Sequence, residues 1–184
     1  MTKFVVSKNC NYCNICYNQL VKEIIISKSI ELINHIGVSN LTVRKLAKYS
    51  QISTRPIYYY FKNLDSLFAE ISAEVLRKLG EYASKDYTAH EFLNSGVGFV
   101  LFAKKLPHYY AILSIREFWP KQTFEESKAD TLMRSKAAKA DLKIYETMKT
   151  FSLGMALVAS NYPKKYSLKK IVNLQLELYN KLIA

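Results

Sequence analysis

Ile26, Ile30 and Ile33 recur at i, i+4 and i+7, the spacing that lines one face of a helix, and Gly37 follows them as a left-handed stop. Leu67, Ile71, Val75 and Leu79 repeat every four residues between Asn63, a side chain suited to starting a helix, and Gly80. No hairpin signal and no internal repeat interrupts this pattern, so the fold class is all-α. With 49% hydrophobic and 13% aromatic residues against only 5 Gly and 4 Pro, the chain has little loop, which excludes disorder and collagen-like repeats. Its 184 residues suffice for one domain with at most a small second module.

The remaining pattern predicts about nine helices. The first runs from Val21 to Gly37. Thr42 is the expected N-cap of a short second helix that turns Val43, Leu46 and Ala47 inward and ends near Ser50. Ser53 caps a third, whose first turn tolerates Pro56 and whose inward residues are expected to be Ile57, Tyr58 and Phe61. The fourth spans Asn63 to Gly80 and has the length of a connector. His90 to Lys105 and Pro107 to Trp119 follow, the latter ended by Pro120. Lys121 to Lys139 is polar and carries no clear period. Two final helices, Asp141 to Ser160 and Leu168 to Ile183, flank the break at Asn161 to Lys165.

Lys and Arg total 27 against 15 Asp and Glu, a net charge of +12 that favours a polyanionic partner: DNA, RNA or an anionic membrane surface. The longest apolar run, Val97 to Ala103, falls far short of the ~20 residues of a membrane span. Only Phe4, Val5 and Val6 precede polar residues at the N-terminus, too few for a signal peptide, so a cytoplasmic protein with reduced cysteines and no membrane partner is expected. The three histidines are His35, His90 and His108, and the chain has no nucleophile elbow, phosphate loop or HExxH pair. An enzyme is not expected.

Cys10, Cys13 and Cys16 form a C-x2-C-x2-C triplet inside the polar lead-in of residues 1–20. Three thiolates at that spacing suit Cu(I), zinc, part of an iron-sulfur site or a redox switch. Closed zinc sites and ferredoxin-type runs use a fourth ligand, and the nearest histidine is the distant His35. A flexible tail of reduced cysteines, with no cofactor and no metal, is the expected reading.

The function-bearing pattern lies in the first third. Two short helices separated by Ser50-Gln51-Ile52 have the layout of a helix-turn-helix: the small Ala47 lets them approach and Ile52 plugs the turn. The third helix is then free to enter a major groove about 12 Å wide. The stretch LTVRKLAKYSQISTRPIYYYFKNLDSLF resembles the DNA-binding domain of the TetR/AcrR family of transcriptional regulators. The resemblance covers residues 21–70, about a quarter of the chain, including Gly37, Thr42 to Ala47 and the Tyr58-x-Tyr60-Phe61 end of the recognition helix.

That resemblance implies a domain at 21–66 in which Thr42, Val43 and Arg44 open the second helix at the DNA, with Thr42 and Arg44 on phosphate and a base edge. Ser53, Thr54, Arg55, Pro56, Tyr58 and Tyr59 would face the groove, and Tyr60 stands where the family often has a phosphate-contacting histidine. The chemistry agrees, since arginine pairs with guanine O6 and N7 and a hydroxyl serves phosphate or base. Lys45, Lys48 and Lys62 would add sequence-independent phosphate affinity. Helical packing competes for Tyr58 and Phe61, which are expected in the core. Two positions depart from the family: Gln51 stands where glycine is usual at the turn, and Leu64 where lysine is common at the start of the fourth helix.

Residues 67–184 would form a ligand-binding and dimerisation domain. The last helix carries two apolar stripes, more than one packing face requires. The stripe Ile171, Leu174, Leu178 and Leu182, with Met148, Ser152, Met155 and Ala159 of the preceding helix, is assigned to a twofold partner in a four-helix bundle; deep burial within one chain is the alternative. The resemblance also implies an effector pocket, for which Phe99, Phe102, Tyr109 and Trp119 supply aromatic surface and His108 and Arg116 polar anchors.

The expected function is a homodimeric, ligand-responsive repressor on a palindromic double-stranded DNA operator, with a small-molecule effector. Its recognition helices would lie roughly 34 to 36 Å apart. Two other readings stand beside it: a thiol-based metal or redox sensor that uses the cysteine triplet, and a protein-interaction module with a vestigial helix-turn-helix.

Overall fold

The computed structural model describes residues 11–113, 115 and 142–184, with side chains from Tyr17 onward. Eight α-helices and no strand are found among the described residues. They fall into two compact units, 1–71 and 72–184, which are described separately.

In the first unit α1 (Asn11–Ile36) is followed by a 3-10 turn at Val38–Asn40, α2 (Val43–Tyr49) and α3 (Thr54–Tyr60), and α4 (Leu64–Ala83) begins there. Ile25, Ile30 and Ile33 of α1, Leu46 of α2, Ile57 of α3 and Leu67 of α4 are at most 2% exposed and form its core. Gly37 ends α1 with φ 78° and accepts no strain in doing so, because it has no Cβ. α1 starts at Asn11, well before the apolar periodicity begins at Val21. Tyr17 and Leu20 on this extension are exposed, as is Ile24 just after it.

The second unit holds the rest of α4, then α5 (Glu91–Lys105), α6 (Pro107–Ile112), α7 (Leu142–Asn161) and α8 (Leu168–Ile183). α4 runs through Gly80 to Ala83, three residues past the expected stop, because a glycine inside a helix weakens it without ending it. α6 stops at Ile112 and Ile115 is not helical, so the expected helix to Trp119 is shorter than predicted. The polar segment Lys121 to Lys139 lies outside the described residues.

α5 is the centre of this unit and packs against α7 and α8. Ten of its fifteen residues are buried, among them Val97, Val100, Phe102 and Ala103 without exposed surface. Asn94 ties the preceding loop to it: its Oδ1 accepts from the Tyr87 and Thr88 amides at 3.0 and 2.8 Å, and its Nδ2 donates to Asp86 and to the Thr88 carbonyl. Such local bonds give loop donors the partners that helix or water would otherwise supply.

Candidate nucleic-acid interface

Four anchors fix the helix-turn-helix. The Thr42 hydroxyl oxygen accepts from the Lys45 amide at 3.2 Å and caps α2 as expected. At the other end of α2 the Tyr49 hydroxyl donates to Glu31 of α1 at 3.3 Å, and Lys28 lies over the Tyr49 ring. The turn itself closes through Ile52 N donating to Ala47 O at 3.0 Å. The Asn63 side chain accepts from the Ser66 amide at 2.8 Å and starts α4.

Gln51 adopts φ 56°, the left-handed conformation that the usual glycine would supply freely. A non-glycine residue there costs about 1 to 2 kcal/mol. Gln51→Gly is therefore expected to stabilise the first unit by about 1 kcal/mol in denaturant unfolding, the relief of strain being partly offset by the freer unfolded chain. It should leave DNA sequence preference unchanged.

α3 divides its side chains cleanly. Ile57 is 1% exposed and the adjoining Phe61 2%, and they hold the helix to the unit. Arg55, Tyr58 and Tyr59, at i, i+3 and i+4, form the opposite, exposed face, and Lys62 just beyond the helix is exposed as well. Tyr58 was expected inward; at 58% exposure it instead stands beside Tyr59, which is 73% exposed. The reason is steric: in a seven-residue helix, Ile57 and Phe61 already fill the i, i+4 stripe toward the core. Ser53 occupies the N-cap position of α3 but makes no side-chain cap bond, contrary to expectation, while Thr54 and Pro56 are half-buried.

On α2, Thr42, Arg44, Lys45 and Lys48 are exposed and Val43 half-buried. Lys45 bends back, its Nζ donating to the Asn40 carbonyl at 2.9 Å, so a phosphate contact would have to displace that bond. Tyr60 is likewise engaged, its hydroxyl donating to Asn18 Oδ1 on α1 at 3.0 Å. Burial, reinforced by neighbouring Tyr59 and Tyr17, raises its phenol above the ordinary value of 10.0, so the proton stays in place throughout the neutral range. DNA affinity should thus show no Tyr60-dependent change between about pH 6 and 9, where a histidine at this position would titrate. Parallel titrations of wild type and Tyr60→Phe across that range check this.

The second unit offers a small pocket, partly open to solvent, between α5, α7 and α8. Phe99, expected to line an effector site, does so. Phe102 is wholly buried against Tyr82 instead, and the exposed His108 and half-buried Tyr109 on α6 do not line this pocket. Arg116 and Trp119 lie outside the described residues. Gly96, Ser152 and Gln175 line it and were not expected there. A polar Gln175 inside an otherwise apolar helical stripe was the signal available in the sequence.

The stripes assigned to a twofold partner need correction. Met148, Ser152, Met155 and Ala159 of α7 and Ile171 of α8 are at most 6% exposed inside their own unit, so they are not available to a second copy. Leu174, Leu178 and Leu182 are half-buried. The apolar side chains that α7 presents outward are Leu153, Leu157 and Val158, with Leu168 and Ile183 outward at the two ends of α8.

Cys10 lies outside the described residues; Cys13 and Cys16 fall within the helical backbone of α1, where an irregular tail was expected. Among the described residues no three His, Cys, Asp or Glu side chains gather as a metal site. No helix among them is long and apolar enough to cross a membrane.

Residues 25–71 match the family described as bacterial regulatory proteins, tetR family. Tetracycline repressor protein class D of Escherichia coli is 32% identical over 65 residues, 35% of this chain and 30% of that protein. The class H protein of Photobacterium damsela subsp. piscicida gives the same figures. The chain thus spans about a third of the length of these relatives. A TetR-family transcriptional regulator from Haemophilus influenzae has a similar fold, with a TM-score of 0.64 and 20% identity over 89% of this chain and 97% of that one. The helix-turn-helix unit is thus similar to that of the tetR family, and the fold of the chain is similar to that of the Haemophilus influenzae regulator.

Proposed function

We propose that the protein is a ligand-responsive transcriptional repressor that binds a palindromic double-stranded DNA operator as a homodimer. The observation that carries this reading is the split surface of α3: Ile57 and Phe61 hold it from one side, while Arg55, Tyr58 and Tyr59 stand exposed on the other. A helix fastened in this way offers a guanidinium, two aromatic hydroxyls and the neighbouring Ser53 and Thr54 hydroxyls to base edges and phosphates. Arg44 at the start of α2, with Lys48 and Lys62, adds positive charge to a chain already at +12.

Dimerisation belongs to the outward faces of α7 and α8. Leu153, Leu157 and Val158 on one and Leu168 and Ile183 on the other are apolar and exposed, the composition that a twofold four-helix contact buries. The effector acts on the second unit by preferring one of two dimer arrangements, and a coupling of about 1 to 3 kcal/mol is enough to switch operator binding. The tetracycline repressors share too small a part of their length with this chain to lend it their drug specificity.

The test is operator binding as a function of salt. If Arg44, Lys48, Arg55 and Lys62 of both protomers reach phosphate or base edges, eight cations engage, and log affinity falls against log salt with a slope of about −7. Sedimentation of the free protein should give a dimer at micromolar concentration. A monomer with a slope near zero would favour a protein-interaction module instead.

A further inference from the structure

The pocket of the second unit has a polar floor with an unmet acceptor. Gln175 of α8 is 1% exposed, and its Nε2 donates to the Ser152 hydroxyl oxygen at 2.9 Å. Ser152 in turn donates to the Met148 carbonyl at 2.8 Å. With its proton spent on the Met148 carbonyl, Ser152 meets the amide as an acceptor and takes its N–H. Gln175 Oε1 is left buried with no donor among the described residues. A buried acceptor without a partner is costly, so the site favours anything that brings one.

Gly96 of α5 lets that helix come close to this pair. A Cβ at that position would stand 2.8 Å from Ser152 Oγ and 3.2 Å from Gln175 Oε1, closer than side chains pack. Phe92, Phe99 and Met148 make the walls of the pocket apolar. The charged residue of the lining, Lys149, holds its ammonium over the Tyr145 ring, 5.8 Å from the centroid.

We propose that this pocket binds a small, mainly apolar molecule ending in a neutral hydroxyl, a phenol or an alcohol, which donates its proton to Gln175 Oε1. The proposal rests on the reading of the second unit as the effector domain and names the chemistry of that effector. A hydroxyl supplies the missing donor without bringing charge into the apolar walls. A carboxylate has no proton to give Oε1 and sets like partial charge against it, so it binds more weakly than the hydroxyl. A methyl ether of the same shape fills the space and leaves the acceptor unpaired.

Calorimetric titration of the full-length protein with 4-ethylphenol, 4-ethylanisole and 4-ethylbenzoate tests this. The phenol is expected to bind about tenfold more tightly than the ether, and the benzoate more weakly still. Gln175→Met, of similar volume, should erase the difference between phenol and ether by weakening the phenol. Equal affinity for phenol and ether in the wild type, tighter binding of the benzoate, or no binding of any of the three would overturn the proposal without recourse to a variant. The same preparation, titrated with DNA over a range of salt, keeps the two ideas apart. Salt-dependent DNA affinity without phenol binding removes only the pocket assignment, and phenol binding without DNA affinity removes only the regulator.

Discussion

Gly98→Leu is expected to prevent the second unit from folding. A Cβ at Gly98 would overlap the Tyr82 carbonyl oxygen and stand 2.7 Å from its carbon and 2.8 Å from Ala83 Cα. All three atoms are backbone of the last turn of α4, so no rotamer change relieves the clash; α4 and α5 would have to separate. Separation would expose α5, whose Val97, Val100, Phe102 and Ala103 have no exposed surface. Overpacking by added carbons costs about 1 to 3 kcal/mol where neighbours are side chains, and more where they are backbone. Gly98→Ala should therefore lower stability by about 3 kcal/mol and Gly98→Leu abolish the cooperative transition, both read by denaturant unfolding followed by circular dichroism. Gly80→Ala is the control: nothing lies within 4 Å of a Cβ there, and a helical glycine replaced by alanine should gain about 0.5 to 1 kcal/mol.

Arg44→Ala should weaken operator binding by about 30-fold or more. Arg44 is exposed in the first turn of α2, a helix held at its start by the Thr42 cap and at its end by Tyr49. An arginine on a base edge contributes about 1 to 3 kcal/mol of discrimination, and a homodimer on a palindrome loses that contribution in both half-sites. Lys48→Ala, which removes only a phosphate contact, should weaken specific and nonspecific DNA by the same smaller factor and reduce the salt slope. Fluorescence anisotropy on operator and scrambled duplexes distinguishes the two patterns. Loss of both duplexes to the same extent on Arg44→Ala would place that guanidinium on phosphate.

Arg44 was legible in the sequence, whereas the constraint on Gly98 comes from the close approach of α4 that only the structure shows. Ile26, Ile30, Ile33, Leu67, Ile71, Val75 and Leu79 are all buried, and the helices that they announce are present. Periodicity was readable there because one face meets a core and the other meets water. It failed in three places for physical reasons. Tyr17 and Leu20 of α1, ahead of its apolar stripe, are exposed and so announce no buried face. Tyr58 competed with Ile57 for the inward position, and hydrophobicity alone could not rank them.

The apolar stripes of α7 and α8 were the third place. Two such stripes on one helix state that two faces are covered, without stating which neighbour covers which. Ser152 looked like a small residue suited to a helix crossing, and only its bond from Gln175 identifies it as part of a polar pair inside the unit. Of the candidate interface, the residues of α2 and α3 followed from the resemblance and the turn spacing. The engagement of Lys45 with Asn40 and of Tyr60 with Asn18 did not, because both are contacts between elements.

Selection of genomic DNA fragments by the purified protein at a stated salt concentration tests the central claim most directly. The account predicts enrichment of one palindromic sequence, with half-sites about one helical turn apart, that is lost with Arg44→Ala or Thr54→Ala. Retention of fragments without a common sequence, unchanged by either substitution, would contradict it and leave the helix-turn-helix as a scaffold for some other contact.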